Sequence, residues 1–451
     1  MAFQLRRRQP VSRGRYTPRL WSVWLVAPLT LMLVGAVSYL IYQGVYDLLA
    51  HAASSQKPRK SVDVNDVIKT TVTALTLVGA VLAGIYAYRK QLLAEGDAHR
   101  ADASQLADRY TTAAEQLGHE QAAVRLAGVY ALARLADDWE EQRQVCIDVL
   151  CAYLRMPYEP DSDSEGHRSG ERDVRHTIIR VIRDHVRDVE HPASWCDCDF
   201  DFTGATFDGG DFSWGHFRGR VTFDDATFRG REVSFRSSTV GGPTFLGGKV
   251  SFDGATVTDG GAVNFESAVV RSDGTITFDH AVVSNEGAVT FNGAEVKANG
   301  WVSFGDAAFS RSGQASFNHA KLCGRVSFER AVVANHGKVN FNGTEFRDRG
   351  HVVFEHTVAS SGGTISLEQT AVHAGGRVVF SHFVVNDGAI ILDRATFSGV
   401  VIFDHAVLND GGRVSFNDAE ITDDGRVIFD SLAVNGAQVV WGSVPRPAGV
   451  Y

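Results

Sequence analysis

The chain has 451 residues and a formal net charge of −9 at pH 7, from 53 acidic and 44 basic residues. This acidic balance disfavours direct binding of nucleic acid, which needs a basic surface. Five cysteines without regular spacing in so long a chain exclude a disulfide-stapled secreted scaffold and favour reduced thiols.

Two uncharged segments near the N-terminus predict transmembrane helices. Residues 21–46 and residues 70–88 carry no charged side chain, and each can span a hydrocarbon core of about 30 Å. Arginines before the first segment and after the second place a basic tail, residues 1–20, and the C-terminus on the cytoplasmic side, with residues 47–69 as a short external loop. A cleaved signal peptide, whose apolar stretch is only about 7 to 15 residues, is the alternative for the first segment. We therefore expect a two-pass protein of the inner membrane, in contact with the lipid bilayer.

Residues 89–190 predict a helical stalk and cap. Apolar residues recur at helical spacing, and Gly118 is a plausible stop for the first helix. We expect helices over residues 92–116, 122–136, 142–154 and 174–186. Because an uncovered solenoid end exposes strand edges, we expect this module to cover the first coil of the repeats that follow.

A 13-residue repeat, which slips to 11 or 12 in places, occupies most of residues 200–441, and residues 442–451 form a tail. Fifteen apolar anchors lie within residues 248–429, each preceded by Gly four residues earlier, and thirteen of them are Phe. Such a period is typical of a solenoid whose units bury apolar residues only against their neighbours. The predicted Phe anchors, including four at a spacing of five at the start of the array, are Phe202, Phe207, Phe212, Phe217, Phe252, Phe265, Phe278, Phe291, Phe304, Phe317, Phe328, Phe341, Phe354, Phe380, Phe403, Phe416 and Phe429.

Within a unit, apolar residues alternate with polar ones over very short stretches. In Val250-Ser251-Phe252, two side chains face inward and Ser251 faces outward, as in a strand. The same alternation places Ser303, before Phe304, on the outside. Strands this short are stable only when stacked coil on coil, and we expect the Gly four residues before each anchor to supply a corner with positive φ. The pattern predicts a parallel β-helix.

The run Phe202-Thr203-Gly204-Ala205-Thr206-Phe207 resembles the pentapeptide-repeat family, whose five-residue units form the faces of a four-faced, right-handed parallel β-helix. The 13-residue units depart from the strict spacing of five, and two of them would make one coil of about 26 residues. If alternate units stack, Leu367 and Leu392 are neighbours in one inner row and the other row is entirely Phe. The motifs Glu115-Gln116-Leu117-Gly118 and Val124-Arg125-Leu126-Ala127-Gly128 are similar to the juxtamembrane module that often precedes these repeats in bacterial membrane proteins.

The sequence predicts no catalytic, cofactor-binding or metal-binding residue, because no catalytic or phosphate-binding motif occurs. Cys196 and Cys198 lack the spacing of a metal or redox motif. Histidine recurs two residues after an anchor, and three of these histidines fall on one face in successive coils, close enough in principle to share a metal. We interpret the position as a solvated corner, since other units place Gly, Ser, Asp, Arg or Gln there and the pattern offers no carboxylate beside each imidazole. The histidines are His280, His319, His356, His382 and His405.

Three functional classes follow. The first is a membrane-anchored scaffold without catalysis, whose acidic rod binds an unidentified protein partner and neither nucleic acid nor a small-molecule substrate. The second, implied by the resemblance, is a mimic of duplex DNA that modulates a topoisomerase-like enzyme. The third is a β-helical carbohydrate-active enzyme, although the longer coils and acidic clefts of such enzymes are missing here.

Overall fold

The structure is a computed structural model, which describes residues 23–55, 63–161, 163–242 and 248–447. The chain divides into two compact units, residues 1–103 and residues 104–451.

Two helices account for the described part of the first unit. They are α1 (Val23–Ser54) and α2 (Val64–Leu117), of which α2 continues into the second unit. Among the described residues, one segment, Val64–Ala94, is long and apolar enough to cross a membrane. The predicted spans fall within these two helices, except that residues 21–22 lie outside the described part of the chain, as does the basic tail.

Three further helices open the second unit, namely α3 (Ala122–Asp138), α4 (Arg143–Arg155) and α5 (Glu171–Val186), with a 3-10 turn at Glu140–Gln142. Helix α5 illustrates why they form. Its buried residues Val174, Ile178 and Ile182 recur at a spacing of four, which places them on one face. Acidic residues occupy its first turn and Arg183 and His185 its last, which complements the helix dipole.

The motif around Arg125 and Gly128 forms the joint between α2 and α3. The buried Arg125 guanidinium donates from Nη1 to the carbonyl oxygens of His119 and Glu120, just after α2 ends. A Cβ on Gly128 would lie 2.5 Å from the backbone nitrogen of Leu117, so only glycine lets the helices approach this closely. Helix packing therefore explains the glycine in the sequence Val124-Arg125-Leu126-Ala127-Gly128.

Four parallel sheets form the rest of the unit, three of ten strands and one of nine. Sheet 1 comprises Phe200–Asp201, Arg220–Thr222, Lys249–Ser251, Thr275–Thr277, Trp301–Ser303, Arg325–Ser327, His351–Val353, Arg377–Val379, Val400–Ile402 and Arg426–Ile428. Sheet 2 comprises Thr206–Phe207, Thr227–Arg229, Thr256–Thr258, Val282–Val283, Ala308–Phe309, Val332–Val333, Val358–Ser360, Val384–Asn386, Val407–Asn409 and Ala433–Asn435. Sheet 3 comprises Gly210–Asp211, Glu232–Ser234, Ala262–Asn264, Ala288–Thr290, Gln314–Ser316, Lys338–Asn340, Thr364–Ser366, Ala389–Ile391, Arg413–Ser415 and Gln438–Val440. Sheet 4 comprises His216–Phe217, Thr239–Val240, Val269–Val270, Glu295–Val296, Lys321–Leu322, Glu345–Phe346, Ala371–Val372, Thr396–Phe397 and Glu420–Ile421.

The register confirms the predicted solenoid with four faces. The solenoid has about nine turns, close to the ten coils that counting the faces from Phe202 predicts. Thr256 pairs with Val282, 26 residues later, so one coil is two of the 13-residue units. Where the spacing slips, Trp301 pairs with Arg325, 24 residues later.

The predicted anchors are all buried except the partly buried Phe429 near the C-terminal end. Those from Phe252 onward form two continuous rows, whereas Phe207 and Phe217 pair in register with Phe228 and Val240 on the other two faces. In the row from Phe252 to Phe429, successive ring centroids are 4.4 to 5.4 Å apart and the rings are nearly parallel. Leu367 and Leu392 follow Phe341 in the other row, as expected, since the nitrogen of each anchor bonds into the next coil. The two anchors that are Leu rather than Phe therefore lie next to each other in the same row.

The predicted role of the glycine before each anchor is wrong. None of the fifteen glycines four residues before an anchor has a positive φ. A Cβ on any of them would instead lie 1.8 to 3.0 Å from a backbone atom, in most cases a carbonyl of the preceding coil. Positive φ occurs two residues after the anchor, where non-glycine residues such as Asp306 and Arg330 also adopt it. Glycine precedes the anchor because two backbones approach there.

Ser303 is buried, although the alternation of apolar and polar residues places it on the outside. Its side chain is only 4% exposed, and its hydroxyl donates to Asp279 Oδ1 of the preceding coil at 2.5 Å. The same carboxylate accepts from the Gly305 nitrogen at 2.7 Å. Ser316 and Asn292 repeat the arrangement at 2.6 Å. An Asp or Asn after an anchor therefore ties one coil to the next.

Candidate binding surfaces

The outer row of sheet 1 is basic in its central part. Trp301, Arg325, His351 and Arg377 begin successive strands and are direct neighbours in register. The two arginines are exposed, and Trp301 is 39% exposed. Open cavities of about 720 and 520 Å³ lie along this row, and Arg349 and His351 line both. We call Trp301, Arg325, Arg349, His351 and Arg377 the basic row.

The arginines of the basic row have no ion-pair partner within the described part of the chain, although neighbouring charges do. Sheet 4 shows the contrast, because there Glu295, Lys321 and Glu345 alternate in sign along the row. Opposite charges in adjacent strands stabilise a sheet, and like charges directly opposite destabilise it. Sheet 4 neutralises its charges internally, whereas the basic row leaves positive charge for solvent or a ligand.

Charge is unevenly distributed along the rod, which the sequence predicts to be acidic. Residues 301–350 contain seven basic and four acidic side chains, a net charge of +3. Residues 401–441 contain two basic and seven acidic side chains, a net charge of −5. The central coils therefore suit an acidic partner, and the C-terminal coils do not.

The recurrent histidines occupy corners with positive φ, as expected for a position two residues after an anchor. His356, His382 and His405 stack in successive coils, with ring centroids 4.7 and 5.0 Å apart. The argument that no carboxylate accompanies them is wrong for two of the three. Glu355 Oε1 lies 4.0 Å from His356 Nε2, and Asp404 Oδ1 lies 2.6 Å from His405 Nδ1. We call His356, His382 and His405 the histidine column.

The other two recurrent histidines, His280 and His319, lie at exposed corners without a second histidine beside them. In the same column of corners, His280 is followed one coil later by Asp306, which forms an ion pair with Arg330 at 2.8 Å. His319 lies in the other column of corners, followed one coil later by Gly343. The interpretation of a solvated corner therefore suits His280 and His319 better than the histidine column.

A groove of about 890 Å³ lies in the helical cap. Its lining includes His185 and Asp137, whose Nε2 and Oδ2 atoms are 3.2 Å apart. The Nδ1 of His185 is 2.7 Å from the carbonyl oxygen of Val181, and the ring stacks on the buried Trp195 at 4.1 Å. Trp195 Nε1 donates to Asp137 Oδ1 at 3.2 Å. Because each polar atom of the pair already has a partner, the pair holds the cap together and offers no free base.

The cap is tied to the first coil by ion pairs at Asp208. Its carboxylate lies 2.8 Å from Arg172 Nε and 3.1 Å from His176 Nε2, and it accepts a bond from Tyr158. Burial acts to raise the pKa of Asp208, but the bond from His176 and the charge of Arg172 outweigh burial and lower it. Asp211 makes a similar contact with Arg183 at 2.7 Å. Helix α5 therefore covers the open end of the solenoid, as the sequence predicts.

Burial makes the cap cysteines poor nucleophiles. It raises the pKa of the Cys146 thiol to about 11 and that of Cys198 to about 11. Since the thiolate is the reactive form, these residues have a structural role.

Comparisons with known proteins leave the family open. No family model matches the chain, and no curated protein matches it. A solved structure, the "Crystal structure of TibC-catalyzed hyper-glycosylated TibA55-350 fragment", has 16% sequence identity and a TM-score of 0.15, and the match covers 51% of this chain and 91% of that chain. Such a low TM-score supports no conclusion, so function has to be argued from the surfaces described above.

Proposed function

We propose that this protein is a membrane-anchored scaffold whose solenoid binds an acidic protein partner through the basic row. One observation carries the proposal, namely the in-register stack of Arg325, His351 and Arg377, in which neither arginine has an ion-pair partner within the described residues. Arg325 and Arg377 lie two coils apart with His351 between them, so their charge is available to a binding partner. A partner with carboxylates at a similar spacing would neutralise them.

Trp301 favours a protein over a simpler anion. It lies at one end of the basic row and next to Arg325 in register. Tryptophan and arginine are the residues most enriched among those that dominate the energy of protein interfaces. A half-exposed indole beside two arginines suits a partner that offers both an apolar group and carboxylates.

Membrane anchoring is supported by the sequence and by side-chain exposure. In Val64–Ala94, large apolar side chains such as Leu77 and Leu82 are more than half exposed. Lipid would cover such a surface. We propose that residues 21–46 form a second span and that both termini face the cytoplasm, as the flanking arginines favour.

The alternatives are less well supported by the surfaces. A mimic of duplex DNA requires rows of negative charge, but the exposed row of sheet 1 is positive at Arg325 and Arg377. A catalytic role requires free acid or base groups that converge in a pocket. In the cap groove these groups are bonded to each other. We therefore propose a binding role without catalysis.

Affinity capture with a matched charge control tests the proposal. The full chain is solubilised from membranes in mild detergent, and its partners are compared with those of the double variant Arg325→Glu/Arg377→Glu. The control is Lys338→Glu/Arg413→Glu, which makes the same charge change at exposed positions in sheet 3. We expect an acidic protein to be lost from the first variant and retained by the control, and its capture from the wild type to fall with rising salt.

The opposite outcomes contradict the proposal. If both double variants retain the same partners, the basic row is not the binding surface. If the bound material is nucleic acid, which nuclease treatment would remove, the acidic protein partner is wrong.

A further inference from the structure

We propose that Glu355, His356 and His382 form a binding site for a divalent first-row transition metal ion, with Zn²⁺ as the ion that this set of ligands fits best. The site joins two adjacent coils, because Glu355 and His356 follow Phe354 and His382 follows Phe380 one coil later. It is independent of the proposed scaffold function and of the basic row.

The backbone holds the two imidazoles in place. His356 and His382 have φ values of 53° and 52°, and the His356 nitrogen donates to the carbonyl oxygen of Ser381 in the next coil at 2.9 Å. The buried rings of Phe354 and Phe380 stack directly beneath, with centroids 5.0 Å apart. Both histidines therefore leave the same edge of the rod, and their rings stack at 4.7 Å.

The ligand atoms are near the separation that a metal needs. One ligand atom from each of Glu355, His356 and His382 lies within 4.8 Å of the other two. Zinc bonds of about 2.0 to 2.2 Å in tetrahedral geometry place neighbouring ligand atoms about 3.4 Å apart. The atoms must draw together by roughly 1.4 Å, which rotation of these half-exposed side chains allows.

The chemistry of the set suits Zn²⁺. Two imidazoles and one carboxylate are common protein ligands of zinc, and solvent can fill the fourth position at an exposed site. The negative charge of the Glu355 carboxylate neutralises part of the positive charge of the ion.

His405 differs from the other two imidazoles of the histidine column. Its Nδ1 is already bonded to Asp404 at 2.6 Å, and its ring lies 5.0 Å from that of His382. A hydrogen bond of this kind orients the ring and leaves Nε2 free to act as a ligand, but the ligand atoms grouped within 4.8 Å of one another come from Glu355, His356 and His382. We assign His405 outside the primary set, so that its removal should affect metal binding less than removal of His382.

A bound ion would link neighbouring coils. Glu355 and His356 come from one coil and His382 from the next, so the ion would add a cross-link between the two. An ion that binds only the folded chain stabilises it in proportion to the logarithm of its concentration. The expected result is slower local opening of these two coils when Zn²⁺ is present.

The test is a Zn²⁺ titration of the full chain in detergent, purified without a polyhistidine tag and freed of metal with a chelator. We expect isothermal titration calorimetry to detect one strong site, and His356→Ala or His382→Ala to weaken it by about tenfold or more. His280→Ala is the matched control, since His280 occupies the same column of corners beside the ion-paired Asp306. It should leave the affinity unchanged.

Two further measurements separate coordination from folding and from nonspecific binding. Thermal unfolding without metal should be the same for all variants, because these side chains are exposed. Co²⁺ in place of Zn²⁺ should give d–d absorption bands that His382→Ala abolishes and His280→Ala retains. If the wild type binds no Zn²⁺, or if His280→Ala weakens binding as much as His382→Ala, the assignment is wrong.

Discussion

The substitution Gly313→Ala tests whether glycine precedes each anchor because of close backbone approach. The added Cβ would lie 2.0 Å from the carbonyl oxygen of Val283 and 2.4 Å from its carbonyl carbon. Gly313 does not have a positive φ, so the alanine backbone itself is unstrained. The steric clash with the preceding coil is the main unfavourable effect of the change.

The size of the effect follows from what must move. Relief of the clash requires the two coils to separate, and this weakens two inter-coil bonds, from the Ser310 nitrogen to Val283 and from the Gln314 nitrogen to Gly287. Overpacking costs about 1 to 3 kcal/mol and each hydrogen bond about 1 kcal/mol, so we expect a loss of about 3 to 5 kcal/mol. In a solenoid the loss should concentrate in the neighbouring coils.

Gly293→Ala is the control, because Gly293 has a φ of +63° and a Cβ there would make only an ordinary contact, with Ser267 Oγ at 3.7 Å. There, alanine should cost only the strain of a left-handed residue, about 1 to 2 kcal/mol. Hydrogen exchange by mass spectrometry on the full chain should show amides of residues 282–290 and 308–316 exchanging about a hundredfold faster or more in Gly313→Ala. If Gly293→Ala accelerates exchange as much as Gly313→Ala, close backbone approach is not the reason for the glycine pattern.

Three further results are expected. Phe304→Asp buries an unpaired charge, so it should cost several kcal/mol of stability and expose the central coils to protease. Ser303→Ala removes a single hydrogen bond and should cost about 1 kcal/mol. Equal protease sensitivity of the two variants would contradict the packing. The lowered pKa of Asp208 means that its stabilisation of the cap is present above the unfolded pKa of about 3.9 and is lost as pH falls through the folded value. Exchange in α5 should rise on acidification, and Asp208→Asn should reduce that dependence, with Asp211, whose pKa is also lowered, responsible for part of the rest. Reporter fusions at residue 55 and at Tyr451 should give external and cytoplasmic signals, and an external C-terminus would refute the proposed topology.

Much of the fold could be predicted because a solenoid repeats its local rules. The spacing of the anchors gave the coil length, and the positions of Leu367 and Leu392 indicated which units stack. Both inferences depend only on the distance along the chain between like residues. The register of Thr256 with Val282 confirms that distance.

Other features depended on contacts that a repeat pattern does not distinguish. Glycine is compatible both with a positive φ and with close backbone approach, and only the 2.0 Å distance at Gly313 separates the two explanations. Alternation predicts that a serine after an inward Val faces outward. Ser303 is nevertheless buried, and its hydroxyl is bonded to Asp279. The carboxylates beside the histidine column were visible in the sequence as Glu355 and Asp404, but their proximity required the coil geometry.

In a parallel solenoid, residues one coil apart are forced to lie side by side at about 4.8 Å, and sequence alone decides whether the neighbours are complementary. Glu295 and Lys321 in sheet 4 are complementary, and so are Asp306 and Arg330 at the corners. In the basic row and in the histidine column, by contrast, the side chains of neighbouring coils do not carry opposite charges. These rows therefore do not neutralise their own charge. Such rows are most easily understood if something from outside completes them, an acidic partner for the arginines and a metal ion for the imidazoles. Since one row begins strands of sheet 1 and the other occupies corners, a variant in either leaves the other intact, and the two proposals can fail separately.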